Sequence, residues 1–243
     1  MSGTLYGLGV GPGDPELLTL KAYRLLKAAS VVAYPAPDTG PSFARSIVAE
    51  FMREDQTEIP IIVPMRSERF PAQSVYDEAA ATIAEHLSQG QDVVVLCEGD
   101  AFFYGSFMYL FERLAPRFNC EVVPGVSSLM ATAASCGRPL AARNDILTVI
   151  PAPSADKDIE NALSTSHAIA FIKVGRHLPR IYTHLENAGL LQKAWYVERA
   201  TLENQKIMPL SEHNGDAPYF SMVLVYHGSE KWIGDLPVVG DTA

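Results

Sequence analysis

Residues 92–105 read DVVVLCEGDAFFYG, and no other stretch constrains the fold as strongly. Four consecutive aliphatic residues, Val93 to Leu96, leave no polar face to turn toward water, so the run fits a short strand buried on both sides. A sheet with such a strand needs helices on both faces, which places the chain in the α/β class. The strand stops abruptly at Cys97-Glu98-Gly99-Asp100. In parallel α/β sheets ligands gather outside the carboxyl ends of strands, where glycine lets backbone come close to a ligand and an acid can accept its donors. This strand end is therefore the expected ligand edge.

The flanking chain repeats the pattern. Leu5 to Val10 is apolar and breaks into Gly9-Val10-Gly11-Pro12-Gly13-Asp14-Pro15. Asp14 and Pro15 then fit the cap and first position of a helix carrying Leu17, Leu18, Leu20, Leu25 and Leu26. Ser30 to Tyr34 and Ile59 to Val63 are further strand-like runs, separated by a helical stretch from Pro41 to Met52. The loop Met65 to Gln73 holds Arg66 and Arg69, and Ser74 to Gln89 has helical apolar spacing ended by Gly90. Phe107 to Arg117 reads as a helix and Glu121 to Val123 as a brief strand, followed by Pro124-Gly125-Val126-Ser127-Ser128 and a small-residue helix, Leu129 to Cys136. Beyond that, strands are expected at Ile146 to Ile150, Ala168 to Val174, Ala194 to Val197 and Tyr219 to Tyr226, the last antiparallel. Helices are expected at Asp158 to Leu163 and Leu178 to Asn187. Two α/β domains, 1–120 and 121–243, with their ligand edges on a cleft between them, is the architecture these elements imply.

Composition narrows the function. The 243 residues carry a formal net charge of -9 with no dense basic run, which argues against nucleic acid as a partner. Cys97, Cys120 and Cys136 lack C-x-x-C spacing, and the six histidines are scattered, so neither a disulfide framework nor a metal site is expected. Of the histidines, His177 and His227 fall at expected strand ends. With no signal-like amino terminus and no membrane-length apolar run, a cytoplasmic protein away from membranes is expected. Nucleophile-elbow, Walker and H-E-x-x-H motifs do not occur. The first loop contains alternating glycines, yet Pro12 and Pro15 lack N–H groups that a pyrophosphate would need, so a nicotinamide dinucleotide site fits poorly. What the residues suit is a large ligand held by backbone contacts, and a group transfer driven by orientation.

Three segments carry a resemblance. Residues 9–19 (GVGPGDPELLT), 98–105 (EGDAFFYG) and 123–128 (VPGVSS) resemble, in order and spacing, the main motifs of the tetrapyrrole methylases, enzymes that depend on S-adenosylmethionine. Residues 98–109, 137–141 and 171–176 are similar to the branch of that family that methylates C20 of precorrin-2 in cobalamin biosynthesis. The resemblance implies a homodimer with S-adenosylmethionine folded into the interdomain cleft. Carried over position by position, Pro12, Gly99, Asp100, Phe103, Ser127, Ser128, Val174 and Ala200 would line the donor site, with Glu98 and Arg199 beside it. Ala101 stands where many relatives have proline. The acceptor would be a meso carbon of precorrin-2, nucleophilic enough to need no covalent catalyst. Asp100, Tyr104 and Glu98 are the candidates for removing its proton. Arg66, Arg69, Arg138 and Arg176 are the candidates for its carboxylates. The same methylation of the cobalt-containing acceptor, and a non-catalytic module binding either ligand, are the alternatives.

Overall fold

A computed structural model describes residues 2–63 and 71–234. Arg66 and Arg69 lie outside the described residues. The chain divides into two compact units, Met1–Ser127 and Ser128–Ala243. The division expected near Cys120 would fall inside a strand, Asn119–Val123, whose hydrogen bonding to the first strand keeps it in the first sheet.

The first unit is a five-stranded parallel sheet. Its strands are β1 (Thr4–Gly9), β2 (Val31–Ala36), β3 (Thr57–Ile62), β4 (Val93–Cys97) and β5 (Asn119–Val123), in the spatial order β3-β2-β4-β1-β5. From β1 the chain moves outward to β2 and β3; from β4 it crosses over β1 to β5. The connections thus leave the adjacent strands β1 and β4 in opposite directions, creating a switch point at their carboxyl ends. Every residue of β4 is buried. Val94 and Leu96 pack with α1 (Leu20–Ala28) and α2 (Phe43–Ile47), while Val93, Val95 and Cys97 pack with α3 (Pro71–Ser88) and α4 (Phe107–Leu114). Gly7 is where α4 touches β1: a Cβ there would lie 2.4 Å from the Phe107 ring.

Local chemistry shifts several expected boundaries. The helix expected after Asp14 is two pieces. Asp14 caps a 3-10 turn, Pro15–Leu17, and Thr19 then caps α1 by accepting from Ala22 N. The stretch from Pro41 likewise resolves into α2, capped by Ser42, and a 3-10 turn at Ala49–Phe51. Strand β2 runs through Pro35 because its pairing with β4 ends at Ala33, so the missing N–H breaks no bond on that side.

The second unit is a mixed sheet of β6 (Leu147–Pro151), β7 (Ala168–Ile172), β8 (Ala194–Glu198), β9 (Lys206–Pro209) and β10 (Ser221–Tyr226), ordered β6-β7-β10-β8-β9. Strands β6 and β7 are parallel; β10 runs antiparallel to both β7 and β8, as does β9 to β8. Helices α6 (Asp156–Thr165) and α7 (Leu178–Asn187) cover one face, and α5 (Ser128–Cys136) covers the other. A last short helix, α8 (Lys231–Gly234), follows β10. The hairpin strand β9 was not expected from the sequence; its LysIleMetPro run is too short and too mixed to signal a strand.

Candidate functional site

The carboxyl edge of the first sheet is built by backbone. Gly11 and Gly99, both with positive φ (85° and 65°), exchange two hydrogen bonds: Gly11 N donates to Gly99 O at 3.1 Å and Gly99 N to Gly11 O at 2.7 Å. The loops after β1 and β4 are thereby zipped together. The loop after β5 joins them through space that only glycine allows, since a Cβ on Gly125 would sit 2.2 Å from Gly99 O and 2.6 Å from Gly9 C. Three strand ends converge on three glycines.

Asp100 fixes the loop beyond it. Its Oδ1 accepts from Phe102 N and Phe103 N, each at 2.9 Å, and its Oδ2 accepts from Gly125 N at 3.0 Å. The carboxylate therefore shapes its own loop and ties it to the β5 loop. Tyr104 then takes a left-handed conformation, φ 57°, and lies exposed with Phe102 and Phe103. Glu98 is half-buried, and burial pushes its carboxyl above the usual carboxylate range despite hydrogen bonding from its own backbone and that of Ala44. Among the described residues neither Glu98 nor Asp100 pairs with a cation. Pro12 and Ser127 are buried on this unit. The structure thus brings Pro12, Glu98, Gly99, Asp100, Phe103 and Tyr104 to the carboxyl ends of β1 and β4.

In the second unit, β7 and β8 point the same way with the antiparallel β10 between them. Their carboxyl ends and the start of β10 consequently share one end of the sheet. Val174 is fully buried there; Arg176 is exposed in a 3-10 turn, Gly175–His177. Arg199 N donates to Phe220 O at 2.8 Å, which places Arg199 and Ala200 beside the start of β10. Ser128 opens α5 and is exposed. Lys173, Arg199 and Thr201 have φ of 55°, 52° and 72°, so this end, like the Tyr104 loop, concentrates left-handed backbone on residues that pay for it.

Glu198 explains how that backbone is held. Its side chain is buried, ion-paired to Arg199 and lies 3.5 Å from Lys206 Nζ, and it accepts from the Tyr196 hydroxyl at 3.0 Å. Tyr196 is pushed up to about 12, first by burial. Sequence reasoning left Glu198 in a loop. The signal available was the Tyr196-Val197-Glu198 alternation, which puts tyrosine and glutamate on one strand face. Arg138, by contrast, is not with Arg176. The residue is 8% exposed, and its guanidinium stacks 3.9 Å over the Trp195 ring and donates to Ile233 O, at the opposite end of the sheet. Among the described residues no cluster of histidine, cysteine and carboxylate side chains could hold a metal, and no helix is long and apolar enough to cross a membrane.

Known proteins are similar to this chain in sequence and in architecture. The chain is 40% identical over 232 residues to the Precorrin-2 C(20)-methyltransferase of Sinorhizobium sp, covering 92% of this chain and 95% of that protein. It is 35% identical over 237 residues to the Cobalt-precorrin-2 C(20)-methyltransferase of Salmonella typhimurium, covering 96% and 98%. In architecture it is similar to the uroporphyrin-III C-methyl transferase of Thermus thermophilus complexed with S-adenyl homocysteine, with a TM-score of 0.69, 24% identity and coverage of 92% and 97%. Residues 4–213 match the family model Tetrapyrrole (Corrin/Porphyrin) Methylases, and with the glycine-built strand ends in place the chain belongs to the tetrapyrrole methylases.

Proposed function

We propose that this chain transfers a methyl group from S-adenosylmethionine to C20 of precorrin-2, acting in the cytoplasm as a homodimer. The observation that carries the reading is the 40% identity, along nearly the whole of both chains, to a protein named for that reaction. The edge chemistry supports the donor. Glu98 and Asp100 stand two residues apart without a cationic partner among the described residues, and the resulting negative potential suits a sulfonium cation. The donor, when bound, supplies a methyl group whose bond to sulfur breaks with the electron pair left on sulfur. The acceptor carbon supplies the pair for the new bond and afterwards loses its proton.

The chain's own part is to align, exclude water and receive that proton. Both oxygens of Asp100 are already engaged by backbone N–H groups, so its role in this reading is to hold the loop. Glu98, kept above the usual carboxylate range by burial, is the better proton acceptor. Pro12, Gly99, Phe103, Ser127, Ser128, Val174, Arg199 and Ala200 remain the residues assigned to the donor, and Tyr104 and the exposed Arg176 to the acceptor side. Arg66 and Arg69 are retained for the acceptor carboxylates from sequence alone.

The reading is tested by supplying purified protein with methyl-labelled S-adenosylmethionine and either precorrin-2 or cobalt-precorrin-2. Faster labelling of precorrin-2 is expected. Preferential labelling of the cobalt form would favour the second reading, for which the 35% identity to the Salmonella protein speaks. Tight binding of donor and acceptor with no labelled product would leave a binding module.

A further inference from the structure

The second unit contains a cavity of ≈ 360 Å³ that the reaction above does not use. It touches Ile169 near the start of β7, Trp195 near the start of β8, and Leu224, Val225 and Tyr226 at the end of β10. Val174, Arg199 and Ala200 follow the other ends of β7 and β8. Several strand residues at about 3.3 Å each separate the two ends, so the cavity and the candidate donor residues lie on the order of 10 Å or more apart. Its size falls within the range of about 300–1,000 Å³ common for small-molecule sites.

The lining has a definite chemical character. Leu140, Leu147, Ile169 and Leu224 form apolar walls, and the indole of Trp195 carries Arg138 on its face. Lys193 and Lys231 are exposed and add two further cations to the lining. Among the described residues the lysines in ion pairs are Lys21 and Lys206, so Lys193 and Lys231 keep their charge for an incoming group. None of the lining residues is acidic, in a chain with 28 Asp and Glu against 19 Lys and Arg. The nearby carboxylates each have a partner of their own, Asp145 the hydroxyl of the lining Tyr226 at 2.7 Å and Glu230 the Arg143 guanidinium at 2.9 Å. Finally, Nε2 of His227 is buried and has no hydrogen-bond partner among the described residues. A buried polar atom of this kind is costly until a partner arrives. Burial, with Lys193 and His167 nearby, holds His227 below its usual range, and its hydrogen bond to the backbone of Ser166 takes the other ring nitrogen's N–H, so Nε2 of the neutral ring is an acceptor and adds no donor for an anion.

We propose that this cavity is a second binding site, taking a small organic carboxylate with a flat apolar body, its carboxylate toward Lys193 and Lys231 and its body against Trp195 and the leucines. The proposal is independent of the methyl-transfer reading, because its test measures binding alone. The chain has two tryptophans, Trp195 and Trp232, and Trp232 is exposed on α8. The W232F protein therefore reports on the cavity through one indole. Titrated with naphthalene-2-carboxylate it should show saturable quenching, and naphthalene-2-carboxamide should bind at least about tenfold more weakly. The double variant K193Q/K231Q, which alters only exposed side chains and should keep its far-ultraviolet dichroism, should lose about tenfold in carboxylate affinity while its carboxamide affinity stays the same. Saturating S-adenosylhomocysteine should leave the titration unchanged. Absence of saturable quenching, equal affinity for both probes, an unaffected double variant, or competition by S-adenosylhomocysteine would each overturn the proposal.

Discussion

At the residue scale, Asp100 and Gly125 carry most of what makes the first edge. Asp100 looks in sequence like a ligand-binding acid, yet its three hydrogen bonds all go to backbone donors. Removing the acceptors in D100A leaves Phe102 N, Phe103 N and Gly125 N to water or to nothing, at a cost of about 1–2 kcal/mol. We expect urea unfolding to show that loss and D100N, which keeps one carbonyl oxygen, to recover part of it. Donor affinity should fall with D100A as well, because the loop bearing Phe103 loses its shape. A variant with full stability but weakened donor binding would instead make Asp100 a direct ligand. Gly125 is constrained by space, not by φ. A methyl group placed 2.2 Å from Gly99 O forces the β5 loop away from β1 and β4. Overpacking of this sort costs about 1–3 kcal/mol, and G125A should show it in the same unfolding assay together with weaker donor binding.

Elements explain both what could be read in the sequence and what could not. β4 was legible because a run of four aliphatic residues admits one environment, and β1 because its apolar run ends in glycine and proline. The same logic exposed the carboxyl-edge loops. The split of the first helix at Thr19 is a local cap inside a continuous apolar pattern, while the hairpin strand β9 and the placement of β5 escaped because strand pairing decides them, with β8 for β9 and with the distant β1 for β5. Arg138 escaped for a similar reason, since nothing local foretells a guanidinium stacked on Trp195, 57 positions along the chain. A further long-range tie joins α2, β2 and β3. Arg45 donates to both oxygens of Glu58, Nε to Oε2 at 2.6 Å and Nη2 to Oε1 at 2.7 Å, and the Tyr34 hydroxyl donates to Oε2 at 2.6 Å. Arg45 before all else lowers the Glu58 carboxyl from 4.5 to about 2. A carboxyl lowered on folding adds stability above its unfolded value, and that stability fades as pH falls toward the folded value. The wild-type chain should therefore lose stability between about pH 4.5 and pH 2 more steeply than E58Q, as read by thermal melts across that range. The difference will be modest, because both side chains are about one-third exposed and water screens the pair. Superimposable slopes for the two proteins would remove Glu58 from the account.

For the whole molecule, the thiols offer a way to follow both units in one experiment. Cys97 ends β4 inside the first unit's core, and Cys136 ends α5 inside the second unit's core; both are buried, while Cys120 on β5 is partly exposed. Burial raises all three thiols, Cys136 to about 12, so few thiolates exist near neutral pH and access decides reactivity. Alkylation followed by peptide mass spectrometry should label Cys120 first. Cys97 and Cys136 should react at least ~100-fold more slowly, as expected where exposure needs an opening of about 3 kcal/mol or more. In rising urea each protected thiol should become reactive when its own unit opens, so the Cys97 and Cys136 midpoints report the two cores separately. S-adenosylmethionine, if its site draws on the strand ends at Gly11, Gly99 and Gly125, should move the Cys97 midpoint to higher urea, since a ligand bound only by the folded state stabilises it by mass action. Rapid native labelling of Cys97 would mean that β4 is not the closed centre on which the ligand edge depends. An unmoved Cys97 midpoint at saturating donor would detach the glycine edge from donor binding and leave its close packing as a matter of fold alone.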